Sequence, residues 1–231
     1  MKKLAIIPAR GGSKRIPKKN MKHFLGKPII SYTLDVLKES NLFDEIMVST
    51  DDQSIADYAA SCNVSVPVLR SSANSDDFAT LADVIFEVLD YYFHEGRPFD
   101  LCCVALATAP FISTKQLFQA VSSLEKENID SVCTVAEFDY PIQRALYLDE
   151  KNCLVWANDE FQSSRSQDLI PSYHDAGQFY IFKTEAFKME KRFIMKNTKP
   201  IILSNLDYQD IDTIQDWVIA EHKFALQNGI N

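Results

Sequence analysis

The sequence predicts a three-layer α/β fold built on a mainly parallel sheet, and three observations carry that reading. Short apolar runs suited to buried strands alternate along the chain with amphipathic stretches of helical period. The length of 231 residues, with 46% hydrophobic and 24% charged residues, suits one domain with an extension. No apolar run approaches the roughly 18 residues that a membrane span needs.

KLAIIPA (3–9) reads as a buried first strand. Pro8 and Arg10 break its apolar run, so MKKLAIIPARGG is expected to be that strand and not a signal peptide. Ile30, Leu34 and Leu37 then recur at helical spacing. EIMVST (45–50) is a second strand, and Asp51-Asp52 can cap the helix carrying Ile55, Ala59 and Ala60. VSVPVLR (64–70) reads as a short strand that Pro67 confines to an edge or to an early end. FATLADVIFEVLDYYF (78–93) is a strong amphipathic helix, and DLCCVALATAP (100–110) is the most apolar strand. A helix over 114–126 buries Leu117, Val121 and Leu124, and SVCTVAEF (131–138) is again a strand. Between about 139 and 176 the pattern dissolves into turns, aromatics and polar residues, too long for a plain connection. That excursion is expected to form a lid or a dimer arm on a single domain covering 1–231. GQFYIFK (177–183) and PIILS (200–204) restore strands, and TIQDWVIAEHKFAL (213–226) ends the chain as a helix.

Charge is distributed unevenly. Residues 1–34 hold nine Lys/Arg and no Asp/Glu, while the remaining 197 carry 15 basic and 32 acidic residues. A negative body with one short basic segment argues against nucleic-acid binding and for a small polyanion. The five cysteines form no CxxC pair, and Cys102 and Cys103 lie within an apolar run, which suits a reducing cytoplasm.

The basic segment follows the first strand directly, as PARGGSKRIPKKN. In open α/β sheets, ligands bind beyond the carboxyl ends of the strands. Gly11 and Gly12 would let the backbone approach phosphate oxygens, with Ser13 beside them, and Arg10, Lys14, Arg15 and Lys19 would neutralise those oxygens. Neither GxxxxGK[ST] nor a GxGxxG after the first strand is present, which disfavours P-loop enzymes and dinucleotide dehydrogenases.

PARGGSKRIPKKN, FLGKPIISYTL and VSTDD together resemble the acylneuraminate cytidylyltransferase family. LRSSANSDDFAT, ATAPF, PIQRAL, RSQDLIPSYHDAGQFYIF and QDIDT follow in the expected order, so the resemblance runs from end to end. YHDAGQFY with PIQRAL is most similar to the branch that activates pseudaminic acid. The resemblance implies a Rossmann-like nucleotidyltransferase that joins CTP to a nonulosonic acid and releases pyrophosphate. It also implies a divalent cation such as Mg²⁺, a homodimer, and a product that feeds surface glycans such as flagellin. CMP-neuraminate or CMP-legionaminate synthesis is the alternative within the family, and a non-catalytic nucleotide-binding domain the alternative outside it.

By the same resemblance Arg10, Lys14 and Lys19 hold the triphosphate, while Asn20 and Arg70 recognise the cytosine end. Arg70 could instead be a surface arginine paired with Asp76 or Asp77. Asp210 and Asp212 are the metal candidates, because alternate residues of an extended segment share a side. Asp212 or Thr213 could equally cap the last helix, with Asp216 completing a capping box. On the sugar side the resemblance points to Arg165, as partner of the sugar carboxylate, and to Gln143, Arg144, His174, Gln178 and Tyr180. His174 has a second reading as a structural histidine. Leu106 and Ala176-Gly177 stand where the neuraminic acid enzymes carry Gln and Asn-Gly, which fits a sugar with a less polar side chain.

Overall fold

The computed structural model describes residues 1–75 and 78–230. Its elements run β1 (Lys3–Pro8), the miniature hairpin β2 (His23–Phe24) and β3 (Lys27–Pro28), α1 (Ile30–Ser40), β4 (Glu45–Ser49) and α2 (Gln53–Ser61). Then come α3 (Leu81–His94), β5 (Leu101–Ala105), α4 (Thr114–Lys126) and β6 (Ser131–Glu137). The hairpin β7 (Leu146–Leu148) and β8 (Leu154–Trp156) leads to β9 (Tyr173–Lys183), α5 (Thr184–Glu190), β10 (Thr198–Leu203) and α6 (Ile214–Asn228).

Six strands form one sheet in the order β10-β6-β9-β5-β1-β4. All neighbours are parallel except β9, which runs antiparallel to both β5 and β6. β5 is buried along its whole length, as expected of an inner strand covered on both faces. Its alternation divides the core. Leu101, Cys103 and Ala105 face the layer of α1, α2 and α4, while Cys102 and Val104 face α3 and α5.

Several expectations move at their edges. The segment 64–70 makes only one bridge, Ser65 to Met47, and no strand. Pro67 lacks the N–H a ladder needs, and the chain leaves the sheet there. The strand in 100–110 stops at Ala105, and the helix in 78–93 starts at Leu81 behind a Thr80–Asp83 capping box. The excursion closes earlier than expected, because β9 begins at Tyr173. Where β9 passes β6, Cys133 pairs with Tyr180 and Val135 with Asp175, so between these pairs Thr134 alone of β6 faces four residues of β9. Gly177 sits in this bulge at φ +61°, a conformation open to glycine.

A third apolar cluster lies outside both helical layers. Ile16 from the basic loop, Phe24 and Ile29 around the small hairpin, Phe111, and Ile211, Trp217 and Ala220 at the start of α6 are all buried together. Phe24 packs edge-on against Tyr32, Trp217 and Phe224 at ring separations of 5.4, 5.6 and 5.6 Å. This cluster ties the basic loop to the segment carrying QDIDT. Phe24→Ala is expected to cost about 3–5 kcal/mol in urea unfolding, the usual range for emptying a buried aromatic site. A loss below about 1 kcal/mol would mean that other contacts anchor the loop.

Candidate active site

Residues 9–22 connect β1 to β2 across the carboxyl ends of the parallel strands. The loop is braced from the neighbouring strand. Ala9 N–H donates to Ser49 O at 2.9 Å, and Gly11 N–H to Asp51 Oδ1 at 2.8 Å. A Cβ on Gly11 would lie 2.6 Å from Asp52 Oδ2, so only glycine fits against that side chain. Asp52 itself caps α2, accepting from Ser54 N–H at 2.8 Å and Ile55 N–H at 3.4 Å. VSTDD therefore ends a strand, starts a helix and braces the loop. A Cβ on Gly12 would meet nothing within 4 Å, so the steric demand falls on Gly11 alone and comes from Asp52. Asn20 is buried, and its Nδ2 donates to Arg10 O at 2.9 Å, closing the loop on itself.

Two cavities adjoin beneath the loop. The first, about 370 Å³, is lined by Arg10, Ser13, Lys14, Arg15, Lys19 and Asn20. The second, about 280 Å³, is lined by Arg70, Asn74, Leu81 and Val84. Pro8, Arg10 and Leu106 border both. Arg70 N–H donates to Thr50 O at 2.8 Å, and the guanidinium reaches Ser49 through Nη2 to O at 2.6 Å and Nε to Oγ at 3.2 Å. Burial lowers its pKa, with Asp51 and Glu87 opposing that shift. The alternative partners Asp76 and Asp77 lie outside the described residues. The cleft thus offers cations at one end and apolar walls with a fixed arginine at the other, matching the two halves of a nucleotide.

QDIDT comes to the cationic end. Ile211 is buried between the two aspartates. Arg15 Nη2 donates to Asp212 Oδ1 at 2.6 Å, and Lys19 Nζ lies 3.8 Å from the same oxygen while donating to Ile211 O at 2.6 Å. Solvent still reaches Asp210, but burial by the surrounding protein and then the Asp212 carboxylate raise its pKa. Burial lowers the pKa of Lys19, against the pull of both aspartates. The Thr213–Asp216 capping box also forms, so capping and a carboxylate pair coexist. Among the described residues no group of three or more His, Cys, Asp or Glu could hold a metal. Two carboxylate donors with mutual repulsion suit a hard divalent ion that takes its remaining ligands from water and phosphate.

The sugar-side candidates are spread more widely. Neither cavity is lined by Gln143, Arg144, Arg165, His174, Gln178 or Tyr180. In the arm, Gln143 Nε2 donates to Ile170 O at 2.8 Å and Arg144 Nη1 to Ser166 Oγ at 3.3 Å, while Arg165 is exposed. Gln143 Oε1 and Arg144 Nε are buried without a hydrogen-bond partner. His174 has both ring nitrogens engaged, Nδ1 with Asp175 O at 2.9 Å and Nε2 with the Tyr208 hydroxyl at 3.1 Å. Its ring lies 4.9 Å from that of Phe138, tilted by 59°, an arrangement that gives it a structural task. Tyr180 donates to Asp175 Oδ2 at 2.5 Å, and burial followed by that bond raises its pKa. Gln178 is 1% exposed, and both its amide atoms lack partners.

Sequence reading overlooked Asp175, whose Oδ1 accepts from Gly177 N–H at 2.8 Å and shapes the bulge. The Asp-Ala-Gly string was the available signal. A Cβ on Gly177 would lie 3.8 Å from Asp210 Oδ1 and 3.9 Å from Leu106 Cδ1, so the bulge, the acidic segment and the shared cavity wall meet at one point.

The family profile described as cytidylyltransferase matches residues 4–225. Pseudaminic acid cytidylyltransferase of Campylobacter jejuni subsp. jejuni serotype O:2 is 40% identical, over 96% of this chain and 95% of its own. The CMP-N,N'-diacetyllegionaminic acid synthase of Legionella pneumophila is 34% identical, over 98% of this chain and 97% of its own. An N-acylneuraminate cytidylyltransferase of Streptococcus agalactiae is 31% identical, over 97% of this chain and 54% of its own. The solved structure of CMP:2-keto-3-deoxy-manno-octonic acid synthetase complexed with CTP superposes with a TM-score of 0.71, at 13% identity, covering 98% of this chain and 100% of that one. The fold is that of a Rossmann-like nucleotidyltransferase.

The raised pKa of Asp210 has a consequence for stability. Above the folded-state value the ionised carboxylate favours the unfolded chain, and below the unfolded value both states are protonated and the effect disappears. Asp210→Asn is therefore expected to raise the urea midpoint at pH 7, with the gain vanishing as the pH falls toward about 3. A lower midpoint at pH 7 would mean that attraction to Lys19 outweighs desolvation.

Proposed function

This chain belongs to the cytidylyltransferase family, and from that premise we propose that it transfers CMP from CTP to the anomeric hydroxyl of pseudaminic acid, releasing pyrophosphate. The observation that carries the reading is one cavity lined by Arg10, Lys14 and Lys19 with the QDIDT carboxylates at its edge. The sugar hydroxyl attacks the α-phosphorus in line with the leaving pyrophosphate. Such a transfer depends on positioning and charge neutralisation more than on covalent help from the protein. Arg10, Lys14 and Lys19 hold the β- and γ-phosphates and stabilise the departing group, with Gly11, Gly12 and Ser13 as the backbone beneath. Asn20 and Arg70 receive the cytosine end, Arg70 from a socket made by Ser49 and Thr50. Asp210 and Asp212 would hold Mg²⁺, whose contribution is neutralisation of the phosphates.

Leu106 and the small Ala176-Gly177 pair favour a sugar that presents little polarity at that wall. The unpartnered amide of Gln178 suits a polar substituent of the sugar, and Arg165 its carboxylate. The arm supports a homodimer. Tyr140, Leu148, Leu154 and Ile170 are exposed on it, more apolar surface than a lone protomer would ordinarily leave in water. Gln143, Arg144 and Arg165 lie outside the cavities of their own protomer, which favours a sugar site completed by dimerisation. We read 1–231 as a single domain bearing this arm. Five unpaired cysteines suit a reducing cytoplasm, and no helix among the described residues is long and apolar enough to cross a membrane. The product would supply glycosylation of a surface structure such as flagellin.

Pyrophosphate release from CTP and Mg²⁺ tests the reading, with pseudaminic, legionaminic and N-acetylneuraminic acids compared. Release restricted to pseudaminic acid is expected. Release with another of the three moves the substrate and keeps the reaction, and CTP binding without release from any supports a non-catalytic nucleotide-binding domain. Arg10→Ala and Asp212→Ala should each lower kcat at least about 100-fold, the usual scale for losing a transition-state charge partner, with the fold intact by circular dichroism. Near-normal rates in both would remove these residues from the site. Mass photometry should return twice the 26.3 kDa protomer mass, and Leu148→Asp with Leu154→Asp should return the protomer.

A further inference from the structure

Arg15 lines the cationic cavity, and its guanidinium donates to Asp212, which is not among the residues lining it. The same Oδ1 that takes Arg15 Nη2 at 2.6 Å also faces Lys19 Nζ at 3.8 Å. Without nucleotide, therefore, one member of the proposed metal pair is already neutralised by two cations of the loop. A guanidinium at hydrogen-bond distance from a carboxylate oxygen excludes a divalent ion from that oxygen, both by occupancy and by repulsion. The pair is also easily opened. The Arg15 side chain is 66% exposed, and an exposed pair of this kind adds little to stability. Asp212, by contrast, is held in place, since its N–H donates to Asp216 Oδ2 at 3.1 Å within the turn that opens α6. The more exposed partner is the arginine.

Resting on the reading of Asp210 and Asp212 as metal ligands, we propose that Arg15 is a positioning residue that occupies Asp212 until a triphosphate enters. It then turns to the phosphates and leaves the carboxylate open. A triphosphate offers a guanidinium several oxygens and more negative charge than one carboxylate. The exchange makes binding of a divalent ion to the protein conditional on nucleotide. By linkage, the ion and the nucleotide must each tighten the other by the same factor.

Mn²⁺ titration of the full chain, followed by the electron paramagnetic resonance of the free ion, tests this without turnover. In the absence of nucleotide, Arg15→Gln should bind Mn²⁺ at least about fivefold more tightly than the parent, the lower end of ordinary coupling between sites. Arg15→Lys should stay near the parent, and adding Asp212→Asn to Arg15→Gln should erase the gain. Equal nucleotide-free affinity in Arg15→Gln and the parent would overturn the proposal. The same titration with CTP present separates the two layers of inference. Weaker Mn²⁺ binding by Asp212→Asn alone upholds the metal pair, so that a silent Arg15→Gln then removes Arg15 only. An unchanged affinity in Asp212→Asn would overturn the metal pair and the role of Arg15 with it.

Discussion

The buried apolar cluster that joins Ile16 to the Ile211–Trp217 segment is the constraint on which the rest of the site depends. The two ends of the chain bring opposite charges to one place, and neither would stay there through charge alone. Exposed ion pairs are weak and screened by salt, whereas a buried apolar cluster is neither. Ile211 lies under the sheltered side of its segment, so the aspartates on either side of it are presented to the loop. Phe24 and Trp217 then set the distance between loop and α6 through ring packing, a geometry that side-chain rotation cannot easily relax.

A second consequence follows for charge. Crowding Arg10, Lys14, Arg15 and Lys19 around one cavity is costly unless anions are near, and Asp51 and Asp212 are among the carboxylates that meet the loop, through Gly11 and Arg15. The loop is thereby stable when empty and still attractive to a polyanion carrying more charge than either carboxylate. The acidic remainder of the chain works in the same direction, since it discourages extended polyanions such as nucleic acid while leaving one basic opening for a small one.

Much of this was legible in the sequence, for identifiable reasons. Alternation of buried runs with helical periods depends on local pattern, so β1, β4, β6, α3, α4 and α6 lie close to the bounds read for them, whereas the apolar run of β5 continues past the strand's end at Ala105. The loop was legible because its chemistry is contiguous. The direction of β9 was not, because a strand buried on both faces carries no mark of its polarity and the arm before it is long enough to permit either direction. The strand expected over 64–70 failed at Pro67, where one missing donor outweighed a run of valines. Arg70 nevertheless lines the second cavity, held by Thr50 and Ser49 and not by a ladder. The pairing of Arg15 with Asp212 joins residues 197 positions apart and has no local signal at all.

The place of β9 in the sheet bears on how the protein is made. β4, β1 and β5 all lie within the first 105 residues and can pair as soon as they leave the ribosome. β6, although next in sequence among the sheet strands, has no neighbour among them, because β9 stands between it and β5. Until residue 183 has been synthesised the nascent chain carries β5 as an open, wholly apolar edge, the kind of edge that recruits other chains. The arm therefore has a temporal role as well as a spatial one. Its length adds to the delay, already set by α4 and β6, between the first half of the sheet and the strand that seals it, and lengthening the arm lengthens the time for which that edge stands exposed.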